Sequence, residues 1–109
     1  MINIAVLISG RGSNLLSIIK NFGEQVKVVM SSSPKAFGLK YAKQYKIPFE
    51  IVESEGQIIN EINKHNIGLI CMAGFMRKLT SAFTKKYKVL NIDKLSKQSV
   101  NESLNLYKK

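Results

Sequence analysis

Apolar residues along this chain fall into short runs that polar segments separate, and two spacings alternate. Residues 4–8 are apolar without a break, which is typical of a strand buried on both faces of a parallel sheet. Residues 14–22 follow with helical spacing, and Gly23 is expected to end that helix. The apolar face of the helix comprises Leu15, Ile18, Ile19 and Phe22. The chain therefore opens with a strand, a glycine turn and a helix.

The same alternation continues to residue 92. Further strands are predicted at residues 26–30, 49–52, 67–72 and 88–92, and further helices at residues 36–45, 57–66 and 79–87. The positions predicted to face inward are Phe37, Tyr41 and Ala42 in the second helix and Ile58, Ile59 and Ile62 in the third. Strands and helices that alternate through short connections predict an α/β fold. We expect a Rossmann-like, doubly wound parallel sheet, ending after about five strands, in the order 3-2-1-4-5.

Ligands of such sheets bind beyond the carboxyl ends of the strands, where the strand order reverses. In this chain that point lies between strands one and four, and residues 10–14, 73–77 and 91–93 should meet there. In the glycine turn, Gly10 and Gly12 permit close backbone approach to a ligand, and Ser13 and Asn14 are expected to cap the helix. The N–H groups at the start of the helix favour an anion such as a phosphate.

A dinucleotide is excluded as the ligand of this turn. The dinucleotide fingerprint requires a third glycine where Leu15 stands, and an acidic residue at the end of the second strand to bind a ribose hydroxyl. Residues 31–33 at that end are all serine. The pattern therefore predicts phosphate binding without NAD binding.

Composition limits the chain to one globular domain. It has 109 residues, of which 45% are hydrophobic, and we divide it into a domain at residues 1–92 and a tail at residues 93–109 that is a weak helix or disordered. The single cysteine, Cys71, lies in an apolar run and is expected to be a buried, inert thiol. Without a run long enough to span a membrane or a basic leader, a cytoplasmic protein without membrane contact is expected.

The net charge of +10, from 17 basic and 7 acidic residues, would suit a polyanionic partner. The lysines are spread along the chain and do not cluster with aromatic residues, so a nucleic-acid partner is not expected. The only histidine, His65, falls at a predicted helix end and is expected to be a surface residue there. No metal site is predicted.

Four motifs together resemble the phosphoribosylglycinamide formyltransferase family, the folate-dependent glycinamide ribonucleotide transformylases of purine synthesis. They are ISGRGSNL at residues 8–15, AFGL at residues 36–39, MAGFMR at residues 72–77 and VLNI at residues 89–92. They occur in the family's order and at nearly its spacing, over residues 1–92. The resemblance implies a cytoplasmic enzyme that transfers a formyl group from 10-formyltetrahydrofolate to the amine of glycinamide ribonucleotide.

The resemblance also implies roles for particular residues. Gly12, Ser13 and Asn14 would bind the phosphate of the ribonucleotide. Asn91 would be catalytic and would also border the folate, because its amide can donate a hydrogen bond to the oxyanion that forms during transfer. The remaining folate border would be Met76, Arg77, Lys78 and Leu79, largely through backbone groups.

The sequence departs from the family after Asn91. The family has a catalytic histidine two residues later, where this chain has Asp93, and the family's second catalytic carboxylate has no counterpart before residue 109. The chain thus matches the N-terminal half of the enzyme, and a frameshift, a decaying gene or a genuine split form would each give such a sequence. The other interpretations are a non-enzymatic module that binds phosphoribosyl ligands, or a subunit that needs a partner chain.

Two expectations follow from that departure. The chain by itself should have little or no formyltransferase activity, because the carboxylate of Asp93 would repel an oxyanion that the family's histidine stabilises. An apolar edge or face of the sheet around Val89, Leu90 and Ile92 should be exposed unless the tail covers it, which would promote self-association or low stability.

Overall fold

The computed structural model describes residues 2–92, together with Glu102 and Asn105. Between residues 2 and 92 there are nine helices and strands, and a 3-10 turn at Gly23–Gln25 follows the first helix. In chain order they are β1 (Ile4–Ile8), α1 (Ser13–Phe22), β2 (Val26–Ser31), α2 (Leu39–Gln44), β3 (Phe49–Ile51), α3 (Glu55–Lys64), β4 (Leu69–Met72), α4 (Ser81–Lys86) and β5 (Val89–Asn91).

The five strands form one parallel sheet in the order β3-β2-β1-β4-β5, which confirms the predicted fold class and strand order. Leu7 in β1 pairs with Met30 in β2 and with Met72 in β4, and Met72 pairs in turn with Asn91 in β5. The carboxyl ends of the four strands therefore lie level with one another. The switch point between β1 and β4 is where the prediction located it.

Each face of the sheet has its own hydrophobic core, because successive side chains of a strand point to opposite faces. Val6 in β1 belongs to the core on the side of α1 and α2, whereas its neighbour Leu7 belongs to the core under α3 and α4. All five residues of β1 are buried. This explains why β1 is a continuous apolar run rather than an alternating one.

All four helices begin at residues other than those predicted, and for α3 and α2 the cause is visible. The helix α3 starts at Glu55, two residues early, because the Ser54 hydroxyl caps it by accepting a hydrogen bond from the Gln57 N–H at 3.3 Å. The helix α2 starts only at Leu39, because residues 36–38 form turns instead of a first helical turn. Phe37 is consequently 54% exposed, so its predicted inward orientation was wrong, while Ala42 is buried and Tyr41 half-buried as expected.

The sheet edge at β5 is partly covered. Ile92 is fully buried, and Val89 and Leu90 are half-buried. The expected exposure applied only if the tail leaves this edge uncovered, and it stays a prediction. The predicted nature of the tail, residues 93–109, lies outside the described residues apart from Glu102 and Asn105. Among the described residues, every helix is too short or too polar to cross a membrane.

Candidate functional site

The loop from Gly10 to Asn14, which follows β1, is shaped by backbone contacts. Gly12 has φ +80° and ψ 19° and stands immediately before α1, where the Gly12 carbonyl accepts a hydrogen bond from the Leu16 N–H at 2.9 Å. Ser13 is already the first helical residue, and no side chain of the described residues caps the helix. The predicted capping by Ser13 and Asn14 was therefore wrong, and both residues lie in the first turn, which also lacks an acidic residue.

Gly12 is buried against a second glycine, Gly38, which precedes α2. A Cβ atom built on Gly12 would lie 2.5 Å from the Gly38 Cα, and one built on Gly38 would lie 2.9 Å from the Gly12 Cα. The Gly38 N–H also donates to the Gly10 carbonyl at 2.9 Å. The two glycines thus hold the loop against the turn before α2. A side chain at position 12 would point toward that turn.

A small cleft of about 140 Å³ opens beside this loop, lined by residues 10–14 and by Ala73 and Gly74 after β4. Arg11 is the only charged residue of its lining, and it is exposed. The start of the ten-residue helix α1 faces the same space with Ser13 and Asn14. A positive helix end, a guanidinium group and two polar side chains favour an anionic group in the cleft.

The residues from Met76 to Thr80, which we call the 76–80 segment, are held mainly by hydrogen bonds to other parts of the chain. The Met76 N–H donates to the Ser9 hydroxyl oxygen at 2.7 Å, and the Ser9 hydroxyl also hydrogen-bonds to that of Ser32. At the other end of the segment, Thr80 bonds to the Glu55 carboxylate. These contacts connect the segment to β1 and to α3.

Side chains of the segment project away from the core. Met76 is 83% exposed, Arg77 and Lys78 are exposed, and Leu79 is half-buried. The Arg77 guanidinium donates to the Glu53 carbonyl at 2.7 Å and so reaches the loop before α3. Between this loop and the segment lies a cleft of about 240 Å³, to which Phe75, Leu79 and Ile58 contribute apolar surface.

Asn91 ends β5 and is half-buried, level with Met72 in β4. Because β4 lies between β1 and β5, the backbone of Asn91 is two strand spacings, about 10 Å, from the backbone of Leu7 in β1. The structure thus brings the glycine loop, the residues after β4 and Asn91 to one edge of the sheet. Asp93 lies outside the described residues.

His65 and Cys71 stand apart from this edge. His65 is at the C-terminal end of α3, as predicted, but it is half-buried, with its Nε2 3.5 Å from the Glu61 carboxylate. Cys71 is fully buried, and its desolvation raises the pKa of the thiol to about 12, which confirms the predicted buried thiol. In the part of the chain that the structure describes, no three His, Cys, Asp or Glu side chains are grouped to hold a metal ion.

Sequence reasoning missed three contributors to the site. Gly38 was recognised only as part of a motif, and its contact with Gly12 joins residues 26 positions apart in sequence. Ser9 was recognised only as part of the first motif, although its hydroxyl accepts a hydrogen bond from the backbone N–H of Met76. Glu55 had a usable local signal, because Ser54 and Gln57 have the spacing of a capping box and so mark Glu55 as the first helical residue.

Comparison with known proteins agrees with these features. A family model described as formyl transferase matches residues 2–94. The phosphoribosylglycinamide formyltransferase of Escherichia coli (strain K12) is 38% identical over 106 residues, which cover 83% of this chain and 50% of that protein. The trifunctional purine biosynthetic protein adenosine-3 of Homo sapiens is 35% identical over 105 residues, covering 82% of this chain and 10% of that protein.

Solved structures give the same result. The phosphoribosylglycinamide formyltransferase of Anaplasma phagocytophilum superposes with a TM-score of 0.76 at 34% identity, covering 81% of this chain and 47% of that one. The corresponding enzyme of Coxiella burnetii gives a TM-score of 0.73 at 36% identity, covering 81% and 49%. The chain thus spans about half the length of the single-function relatives it matches.

Proposed function

Because the chain belongs to the formyl transferase family, we propose that it supplies the ribonucleotide-binding half of a phosphoribosylglycinamide formyltransferase site. The observation that carries this proposal is the cleft beside the glycine loop, whose lining combines the start of α1 with Arg11 and no acidic group. The substrates would be glycinamide ribonucleotide and 10-formyltetrahydrofolate. A cytoplasmic location accords with such small-molecule substrates.

The ribonucleotide phosphate would bind at Gly12, Ser13 and Asn14. Backbone N–H groups of the first turn of α1 and the side chains of Ser13 and Asn14 would donate hydrogen bonds to its oxygens. Gly12 contributes through the loop conformation, since the face on which a side chain would project is occupied by Gly38. Arg11, at the rim of the cleft, adds a positive charge.

The folate would border Met76, Arg77, Lys78 and Leu79, as well as Asn91. The largely exposed 76–80 segment and the apolar surface of Leu79 suit a flat, partly polar ring. When bound, 10-formyltetrahydrofolate would supply the formyl group. The Asn91 amide would donate to the oxyanion that develops when the substrate amine adds to the formyl carbon.

Turnover would need groups beyond these. With Asp93 where the family has histidine, a carboxylate that only accepts hydrogen bonds would stand where a donor is required. We therefore assign ligand binding to residues 1–92 and expect the 109-residue chain alone to transfer formyl groups weakly or not at all. A second segment, on the same chain or on a partner, would supply the missing acid–base groups.

Binding can be tested by following backbone amide chemical shifts during titration with glycinamide ribonucleotide. The amides of Gly12, Ser13 and Asn14 should shift most. Loss of two hydrogen bonds to a charged group in the double variant Ser13→Ala/Asn14→Ala should weaken binding about tenfold or more. The matched control is Ser17→Ala/Asn21→Ala, which removes the same groups one to two turns further along α1.

The control should bind like the parent chain. Shifts confined to other parts of the chain, or equal affinity in both double variants, would contradict the phosphate assignment. A parallel titration with inorganic phosphate shows how much of the affinity comes from the phosphate group alone.

Catalysis can be tested with a formyl-transfer assay on the parent chain and on Asp93→His, each purified from a host that lacks its own enzyme. Both should be inactive or nearly so, because removing one oxyanion donor alone costs roughly 100- to 1,000-fold in rate, and histidine by itself would lack an orienting carboxylate. Robust turnover by the parent chain would show that its own residues, or a second copy, complete the site.

A non-enzymatic module that binds phosphoribosyl ligands is the alternative function. The observation that favours it is that the anion cleft is complete within residues 10–14 and 73–74, whereas the family's catalytic histidine is replaced. Titration with tetrahydrofolate separates the two: a half-enzyme should show shifts in the 76–80 segment, and a ribonucleotide-binding module should show none.

The chain's partner in solution would be a second copy, through the edge of the sheet at β5. Its three-residue strand has an unpaired edge within the described part of the chain, and Val89 and Leu90 remain half-buried. Sedimentation velocity over a hundredfold concentration range should show a concentration-dependent increase in mass. A strict monomer that melts sharply at high temperature would contradict this expectation.

A further inference from the structure

We infer that Glu55 is a positioning residue for the folate border: its carboxylate holds the 76–80 segment against the start of α3. The inference rests on the proposed function for the identity of the ligand. It concerns a residue outside the glycine loop, the 76–80 segment and Asn91.

The contact is bidentate. The Thr80 N–H donates to Glu55 Oε2 at 2.6 Å, and the Thr80 hydroxyl donates to Glu55 Oε1 at 2.9 Å. The two residues are 25 positions apart, so the contact joins two separate parts of the chain. Glu55 itself is the first residue of α3, where the helix dipole favours a carboxylate and Ser54 fixes the start of the helix.

The Thr80 hydroxyl has a second role, which makes its orientation specific. Its oxygen accepts a hydrogen bond from the Phe83 N–H at 3.2 Å and thereby caps α4. By accepting the hydrogen bond that the hydroxyl donates, Glu55 leaves a lone pair of that oxygen directed to α4. The start of α3, the end of the 76–80 segment and the start of α4 are therefore connected through one carboxylate.

Packing alone would not define the segment. Met76 is 83% exposed, Arg77 and Lys78 are exposed, and only the half-buried Leu79 contacts the core under α3 and α4. The backbone N–H groups at its two ends, those of Met76 and Thr80, are bound by Ser9 and Glu55. Because the folate border would act largely through this backbone, releasing one end should weaken folate binding and leave the phosphate cleft unchanged.

The test uses the full chain and four proteins: the parent, Glu55→Ala, Glu55→Gln and the control Glu50→Ala. Glu50 is an exposed glutamate in β3, so the control removes the same charge. Hydrogen exchange of the Thr80 amide and the affinities for tetrahydrofolate and glycinamide ribonucleotide are measured by amide spectra. In Glu55→Ala, Thr80 exchange should accelerate and tetrahydrofolate affinity should fall, each by about tenfold. The ribonucleotide affinity should change by less than about twofold.

Glu55→Gln keeps a carbonyl oxygen for the Thr80 N–H and an amide for its hydroxyl oxygen, so it should retain most of the parent's affinity. It also serves as the informative variant if Glu55→Ala does not fold. Unchanged Thr80 exchange in Glu55→Ala would overturn the inference, and so would equal losses of tetrahydrofolate affinity in Glu55→Ala and Glu50→Ala. A third outcome separates this inference from the proposed function. If Thr80 exchange accelerates in Glu55→Ala but the parent chain binds no tetrahydrofolate, Glu55 does position the 76–80 segment and the folate assignment is overturned.

Discussion

The glycine loop and the 76–80 segment border the same edge of the sheet but are held by different forces. In the loop, buried Gly12 and Gly38 touch backbone to backbone, and no side chain of described residues caps the helix that follows. The 76–80 segment is largely exposed, and side-chain groups of Ser9 and Glu55 bind its two ends. One region is determined by the absence of side-chain atoms and the other by the presence of particular polar atoms.

This difference determines which substitutions each region tolerates. Adding a single carbon atom should disrupt the loop, because backbone atoms cannot rotate out of the way. The segment should accept added atoms but not the loss of a hydrogen-bond acceptor. The geometry of the loop thus depends on the fit between two glycines, whereas that of the segment depends on α3 and on Ser9, which follows β1.

The largest effect is expected from Gly12→Val. Its Cβ would lie 2.5 Å from the Gly38 Cα, and valine disfavours the positive φ of this position, so destabilisation of about 3 kcal/mol or more is expected. Gly12 was expected to leave room for a ligand, whereas the space that a side chain there would need is occupied by Gly38. The matched control is Gly10→Ala, whose Cβ has no atom within 4 Å and which should change stability by about 0.5 kcal/mol at most. Urea unfolding compares the two, and similar midpoints would contradict the steric explanation.

Gly74→Ala separates conformation from crowding. Gly74 has φ +83°, almost the value of Gly12, but a Cβ there would have no atom within 4 Å. Only the backbone penalty should remain, which is about 1 to 2 kcal/mol for a residue other than glycine in this conformation. Gly74→Asn should recover part of it, because asparagine tolerates a positive φ better than alanine does. A loss as large as that of Gly12→Val would mean that crowding contributes little in the loop.

Cys71 lies in β4, the strand that leads to the 76–80 segment. Its titration tests the sheet on which the glycine loop and the 76–80 segment both rest. Because burial raises the pKa of its thiol from 9.0 to about 12, the folded state disfavours the thiolate. The stabilisation from the neutral thiol is complete below pH 9 and is lost as the pH rises toward 12, at about 1.4 kcal/mol per pH unit. Urea unfolding at pH 8 to 10.5 should show this slope, and Cys71→Ala should reduce it. An equal slope in both chains would mean that other groups cause the loss.

The smallest effect is expected from Phe37→Ala, next to Gly38. The Phe37 ring is 54% exposed and contacts the Lys40 ammonium, 3.8 Å from its centroid, and the edge of Tyr41. Its removal should cost about 0.5 to 1 kcal/mol. Thermal unfolding compares this loss of stability with that of Gly38→Ala. The Cβ of Gly38→Ala would lie 2.8 Å from the Ile8 Cδ1, so this variant should lose more stability. A larger loss of stability in Phe37→Ala than in Gly38→Ala would mean that side-chain packing supports the loop more than the contact between the two glycines does.

The sequence was sufficient to predict the sheet, because that prediction needs only local patterns. Continuous apolar runs mark strands with two buried faces, and the βαβ connections leave few possible strand orders. The same local reasoning failed for Phe37, whose helical spacing indicated burial. The turn at residues 36–38 brings Gly38 against Gly12, and a periodicity within one helix contains no information about that contact.

By itself the sequence determined the α/β class, the strand order, the glycine turn after β1 and the buried thiol of Cys71, since each follows from residues adjacent in the chain. Only the tertiary structure decided what Gly12 and Glu55 do. Their partners, Gly38 and Thr80, are 26 and 25 positions away. Such contacts form only after α2, α3 and the residues after β4 have packed on the sheet, because the sheet brings together chain ends that no local preference connects.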